Sequence, residues 1–170
     1  MANKTDKSQK DEEVTKYEKL ASRTRELFEQ AREKSASGLD SALDHAKDEL
    51  VATGEFSAKQ GERLRKYVRR DLNATSEDVQ KLLEKIQKGT HPSRLGAGFL
   101  GLVHHVSESL GSAFDKLAIK TEEKLTYHTG EISGPGTLIC TKCSKAHHLN
   151  HTGRVPPCSG CHETEFRKSY

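Results

Sequence analysis

Two short pairs of cysteines near the end of the chain constrain it most. Cys140-Thr141-Lys142-Cys143 and Cys158-Ser159-Gly160-Cys161 stand fourteen residues apart and use every cysteine of the 170-residue chain. Four soft thiolates are the number that a structural tetrahedral zinc site takes. A loop of this length can carry a hairpin that brings the pairs together. The segment from Gly136 to Tyr170 offers few large apolar residues, namely Leu138, Ile139, Leu149, Val155 and Phe166. Burial alone would not hold so small a unit, whereas metal binding contributes about 10–16 kcal/mol of apparent folding free energy in such modules. The spacing therefore predicts a zinc ribbon with Zn²⁺ as cofactor and Cys140, Cys143, Cys158 and Cys161 as ligands. Two disulfides or reactive thiols are the alternatives. His147, His148, His151 and His162 surround the cysteines, and any of them could replace one, since three-cysteine, one-histidine sites exist.

The compartment bears on that choice. The start, Met1-Ala2-Asn3-Lys4-Thr5-Asp6-Lys7-Ser8, lacks the apolar core of a secretory signal. A cytoplasmic location is expected, and reducing compartments favour metal over disulfide. No apolar run approaches the roughly 18–20 residues of a membrane span, so no membrane partner is expected.

Upstream, periodicity predicts helices. Residues 1–12 are mixed Lys, Asp and Glu and read as a disordered tail. From Val14 the apolar positions Val14, Tyr17, Leu20, Ala21, Leu27 and Phe28 recur at steps of three and four, then Leu39, Ala42, Leu43, Ala46, Leu50 and Val51. That pattern reads as one long amphipathic helix bent at Gly38. Thr53-Gly54-Glu55 is a helix stop, and Ser57 with Gln60 forms a capping box for a second helix to about Leu72. Thr75 or Ser76 can cap a third piece carrying Val79, Leu82, Leu83 and Ile86. Residues 13–88 thus read as a helical hairpin with a broken return arm. Residues 89–98 are a Gly/Pro linker, 99–126 an amphipathic helix, and 127–170 the ribbon with its lead-in. Strands are expected at Thr137–Ile139, Ala146–His151 and Thr164–Lys168. The fold class is mainly α: a long helical hairpin or antiparallel, coiled-coil-like helices followed by a small C-terminal β zinc ribbon.

Composition supports two small units over one large core: 32% of residues are hydrophobic, 31% charged and 5% aromatic, with no tryptophan. Net charge is only +3, from 28 basic and 25 acidic residues, where a dedicated nucleic-acid binder is usually more lopsided. Arg63, Arg65, Lys66, Arg69 and Arg70 nevertheless cluster on one helix, and Lys142, Lys145 and Arg154 lie in the ribbon. These are the candidate contacts for nucleic acid or another partner, because guanidinium forks match phosphate oxygens. The bland reading of the arginine cluster is a solvated face paired with Glu62 and Asp71.

Gly96-Ala97-Gly98-Phe99-Leu100-Gly101 matches a dinucleotide-binding pattern, but no strand precedes it. Small residues that let helices approach, or a flexible helix start, explain it better. His104 and His105 adjoin on a helix and point about 100° apart, so they do not form one metal site. No nucleophile elbow and no H-E-x-x-H run occurs, and four thiolates would saturate a zinc ion. A non-enzymatic protein is expected.

Taken together, Thr-Gly-Glu-Phe-Ser at 53–57, Tyr-Val-Arg-Arg-Asp-Leu at 67–72, Tyr127-His128-Thr129-Gly130-Glu131, Gly136-Thr137-Leu138-Ile139-Cys140 and both C-x-x-C pairs follow a familiar order. The chain resembles the bacterial YbeL-like zinc ribbon-containing proteins over most of residues 14–170. The likeness is most specific from Tyr127 to Phe166. It implies that the four cysteines are the zinc ligands, and it brings no activity. The chain departs from that family in lacking tryptophan in its second helical stretch and in its Gly-rich run at 96–101. The expected role is a binding or regulatory protein that docks on a larger cytoplasmic assembly, with nucleic acid, ribosome and RNA polymerase as candidates. The rival is a self-associating helical scaffold stabilised by the ribbon.

Overall fold

A computed structural model of the protein describes residues 4–32, 34–76, 97–110 and 125–169. Helix α1 spans Lys4–Gln30, α2 Ala36–Ala52, α3 Ala58–Ser76 and α4 Ala97–Leu110. Strands β1 (Thr126–His128), β2 (Ile132–Ser133), β3 (Gly136–Cys140), β4 (Ala146–Leu149), β5 (Gly153–Arg154) and β6 (Glu165–Ser169) follow.

Two expectations change in the N-terminal half. Residues 4–12, read as tail, are helical: this stretch contains no Gly or Pro, and its Lys, Glu and Gln residues favour a helix. The expected long helix from 14 to 51 is two helices, and the break lies before Gly38, not at it. Ser35 is the N-cap of α2, and its hydroxyl accepts from the Gly38 backbone N–H at 3.1 Å. A serine in that role starts a helix, so Gly38 sits in the first turn of α2.

The capping box of α3 is present, with Gln60 N–H donating to Ser57 Oγ at 3.3 Å and Ser57 N–H to Gln60 Oε1 at 3.1 Å. Gly54, at φ +77°, supplies the left-handed residue that ends α2. Helix α3 does not stop at Leu72. The Thr75 hydroxyl donates to the Asp71 carbonyl at 2.7 Å inside the helix, so Thr75 is not a cap. The expected inward residues Val79, Leu82, Leu83 and Ile86 lie outside the described residues, as does most of the 89–98 linker. The helix expected over 99–126 is described as α4 up to Leu110, residues 111–124 lie outside the description, and Thr126 already belongs to a strand.

Ion pairs trace the helix directions. Arg23–Glu49 at 2.9 Å, and Lys19 with Glu55 just past the end of α2 at 2.5 Å, show α1 and α2 to be antiparallel. Lys47–Glu62, Asp44–Arg65 and Asp40–Arg69 do the same for α2 and α3. Helix α4 runs beside α1 in the same direction, with Gly98 against Glu18 and Ser22 and Gly101 against Arg25. A Cβ on Gly98 would lie 2.5 Å from the Glu18 carbonyl, so the Gly-rich run provides close helix approach. Between the helices lie Tyr17, Leu20, Phe28, Leu43, Leu64, Val68, Phe99 and Leu102, all within 1% of full burial.

The ribbon is a four-stranded antiparallel sheet in the order β1-β6-β3-β4, beside a β2–β5 pair. Strands β3, β4 and β6 overlap the three stretches expected to be strands. Strands β1, β2 and β5, of three, two and two residues, are too short to show a period. The ribbon packs directly on α1 and α3 and does not hang from a linker.

Candidate metal centre

Each cysteine pair forms the same turn. In the first, Cys140 N–H donates to Lys145 O at 3.0 Å and Ser144 N–H to Cys140 O at 3.0 Å. In the second, Cys158 N–H donates to Glu163 O and His162 N–H to Cys158 O, both at 2.9 Å. The residue after each second cysteine takes a left-handed backbone, Ser144 at φ 59° and His162 at φ 58°. Two non-glycine residues held there at matching positions mark an imposed geometry. Strand β3 delivers the first turn, and the crossing of β6 beside Cys140 brings the second against it.

The four Sγ atoms lie within 4.8 Å of one another, and none is in a disulfide. Cys140 and Cys161 are 3.6 Å apart, and Cys143 and Cys158 are 3.5 Å apart. A tetrahedron with metal–sulfur bonds of about 2.3 Å has edges of about 3.8 Å, so the donor set fits one thiolate-bound divalent ion. Cys140 and Cys158 are buried, Cys161 is half-buried and Cys143 is exposed.

The thiols differ in acidity. Backbone N–H groups of Cys161 and Gly160 pull the Cys158 thiol down to about 5, helped by His147. Cys161 is pushed up to about 12: the Glu163 N–H favours its thiolate, but desolvation and the three neighbouring sulfurs outweigh that. Crowded sulfurs resist shared negative charge, and a bound divalent cation would favour the thiolate form of all four.

None of the four ribbon histidines joins the sulfurs in the metal-holding cluster. His147 lies edge-on to Phe166 with centroids 5.5 Å apart. His148 Nδ1 is 3.1 Å from Thr137 Oγ1. His151 and His162 are exposed.

The candidate partner contacts divide sharply. Arg63 pairs with Glu13, Arg65 with Asp44, and Arg69 with Asp40. Arg70 is turned inward, bonded to Glu131 and, at 2.9 Å, to Ile132 O, with its guanidinium 3.8 Å from the Tyr127 ring centroid. Arg154 bonds to Glu13 and Gly130 O. Lys142 meets Glu163 at 3.8 Å, whereas Lys66 and Lys145 are exposed with no ion-pair partner among the described residues.

Sequence reasoning missed the polar groups that hold ribbon to helices. Asp71 is fully buried: its Oδ2 accepts from Tyr17 OH at 2.6 Å and Gly134 N–H at 2.8 Å, and Lys168 Nζ is 3.4 Å from Oδ1. Lys168 also donates to Ser133 Oγ at 2.9 Å and Gly134 O at 2.8 Å. Burial pushes the Lys168 amine down to about 8 against the pull of Asp71. Glu18 accepts from Gly98 N–H at 2.7 Å, Phe99 N–H at 3.1 Å and the Thr152 hydroxyl. Burial raises the Glu18 carboxyl, and those three bonds work against the rise. Its carboxylate also occupies the start of α4, where a phosphate would have to sit for the Gly-rich run to bind a nucleotide.

Ser109 Oγ, His105 Nε2 and Glu29 stand in hydrolase-like order, at 3.4 Å and 3.7 Å. Ser109 lies in the last turn of α4, where the backbone N–H groups point back into the helix, and among the described residues none converges on it as an oxyanion hole. Among the described residues no helix is long and apolar enough to cross a membrane.

Residues 26–169 match the profile of the zinc-ribbon containing domain family. The uncharacterised protein YbeL from three strains of Escherichia coli is 25% identical over 136 residues, covering 74% of this chain and 80% of the relative. No solved structure matches.

Proposed function

We propose, for a chain that belongs to the zinc-ribbon containing domain family, that it is a non-enzymatic cytoplasmic protein. In this reading its four cysteines hold one zinc ion, and its ribbon docks on a larger assembly. The observation that carries this reading is the convergence of all four thiols within 4.8 Å. Four thiolates fill a tetrahedral ion and leave no position for water or substrate, so the ion serves shape. When bound it supplies a fixed positive centre that keeps both turns charged and closed. Backbone N–H groups aimed at Cys158 and Cys161 orient the sulfurs.

The contact surface in this reading is the ribbon end. Four of the five basic residues in the α3 cluster are bonded to acidic partners within the chain, so they are poorly disposed to grip phosphate. Lys142 and Lys145 beside the first turn are exposed, with Lys66 on α3. Ribosome, RNA polymerase and free nucleic acid are the assemblies that such a surface suits. The rival reading, a self-associating scaffold, draws less support because the stripes of α1, α2 and α3 are buried against one another.

The test is an affinity pull-down from native lysate with and without chelator. A partner retained only with metal supports ribbon docking. Retention that ignores the chelator would overturn the ribbon as the contact. Binding of free RNA or DNA that falls steeply with salt would single out nucleic acid.

A further inference from the structure

We propose that strand β6 is a latch through which metal loading and attachment of the ribbon to the helices become one cooperative event; the inference rests on the metal reading above. The strand serves both sites. At its start, Glu165 O accepts from the Thr141 N–H and hydroxyl of the first cysteine turn, each at 3.1 Å, and Phe166 pairs with Cys140. Two residues further on, the Lys168 side chain, fully enclosed, enters the helical layer and meets Asp71, Ser133 Oγ and Gly134 O.

Its surroundings suit a switch better than simple packing. The Lys168 amine lies 5.8 Å from the Phe99 ring centre on α4 and 5.5 Å from that of Tyr127 on β1, so four elements meet at one cation. The Asp71 carboxylate is shared with Tyr17 of α1 and Gly134 of the β2–β3 turn. A buried pair of this kind contributes little as long as it is whole and costs much when one partner leaves. If the cysteine turns open, Glu165 and Phe166 lose their anchor, β6 loosens from β3, and Lys168 withdraws. Asp71 is then left buried without its cation, and the α1–α3 surface beneath the ribbon opens with it. By linkage, damage to the pair must weaken metal binding by the same factor by which metal tightens the pair.

The full-length protein loaded with Zn²⁺ tests this in two ways. Backbone hydrogen exchange is followed at Tyr17–Ala21 of α1 and Leu64–Leu72 of α3 before and after a strong chelator. Chelation should speed exchange there about tenfold or more, while the α2 segment Ala42–Ala46 stays protected. Zn²⁺ affinity is then measured by competition with a chromophoric chelator for Lys168→Met, Asp71→Asn, the double variant and Lys66→Ala. Either single variant should lose about tenfold or more in affinity. The double variant, which removes both charges, should recover part of that loss, and Lys66→Ala should match the parent. If a single variant does not fold, the recovery in the double variant and the parent's exchange data still decide. Unchanged exchange on chelation, or single variants within about twofold of the parent, would overturn the latch alone. A chain with intact thiols that takes up no Zn²⁺ would overturn the metal centre and the latch together.

Discussion

Helices α1 to α4 bury Tyr17, Leu20, Phe28, Leu43, Leu64, Phe99 and Leu102 in one continuous interior, and their outer faces are laced with exposed or half-exposed ion pairs. Among its described residues the ribbon buries Tyr127, Ile132, Leu138, Val155 and Phe166 as large apolar side chains, together with Cys140 and Cys158. The helical layer has enough apolar area to hold its shape by removing that area from water. The ribbon has little such area of its own: its few apolar side chains join the helical interior, and four sulfurs at one end and buried charge shared with the helices at the other add to that hold. The same Asp–Lys and Arg–Glu chemistry therefore has two values. Asp44–Arg65 lies partly in water, whereas Asp71–Lys168 is wholly enclosed.

Removing a sulfur should give the largest effect. Cys158→Ser is expected to abolish metal binding and unfold the ribbon, forfeiting a metal contribution on the scale of 10–16 kcal/mol, or about that much at pH 7. Circular dichroism should still show most of the helical signal, and loss of that signal too would erase the contrast between the regions. Next comes the helical interior. Leu43→Ala should cost about 2–5 kcal/mol in denaturant unfolding, with the helical transition lowered and metal stoichiometry kept. Gly98→Ala should cost about 1–3 kcal/mol by forcing α4 off the Glu18 backbone. Smallest is the exposed ladder: Arg65→Ala should change stability by about 0.2–1 kcal/mol. A larger loss there would mean that surface and buried pairs are less different than their exposure suggests.

Acidity sharpens the same contrast. Lys168 has a folded pKa near 8 against an ordinary value of 10.5. Between those values the unfolded chain binds the extra proton, so the Lys168 contribution to stability should rise as pH goes from about 8 to 10.5. Lys168→Met should flatten that rise in unfolding midpoints measured across the window, and Lys66→Ala should leave it in place.

What could be read from the residues alone followed from local physics. The C-x-x-C spacing located the four sulfurs, the three- and four-residue steps located the inward face of α1, α2 and α3, and Ser57 with Gln60 located a helix start. The Gly-rich run was legible as something other than a nucleotide loop because no strand preceded it, and the close contacts of Gly98 and Gly101 with α1 decide for helix approach over a flexible helix start. The placing of the α1–α2 break was missed because Ser35 and Gly38 both interrupt a helix, and only the hydroxyl's bond shows which one starts the next. The joint between ribbon and helices was missed because its members are ordinary charged residues whose partners lie far off in the chain, 134 positions for Glu18 and Thr152. A signal did exist. Asp71 falls three residues after Val68 and Glu18 four after Val14, so both place a charge on an apolar stripe. A charge in that position is informative because it is rarely buried without a partner.

The arginines of α3 show the converse. Their clustering suggested a phosphate surface, yet Asp40 and Asp44 of α2, Glu13 of α1 and Glu131 of the ribbon answer them one by one. Charge pattern along one helix identifies a basic face. Whether that face meets solvent depends on the helix packed beside it.

X-ray absorption at the zinc edge of the protein purified without added chelator would read the ligands themselves. One zinc per chain is expected, in a shell of four sulfurs at about 2.3 Å with no nitrogen neighbour. A shell containing histidine nitrogen, or a metal-free chain with its cysteines joined as disulfides, would contradict the four-thiolate zinc site.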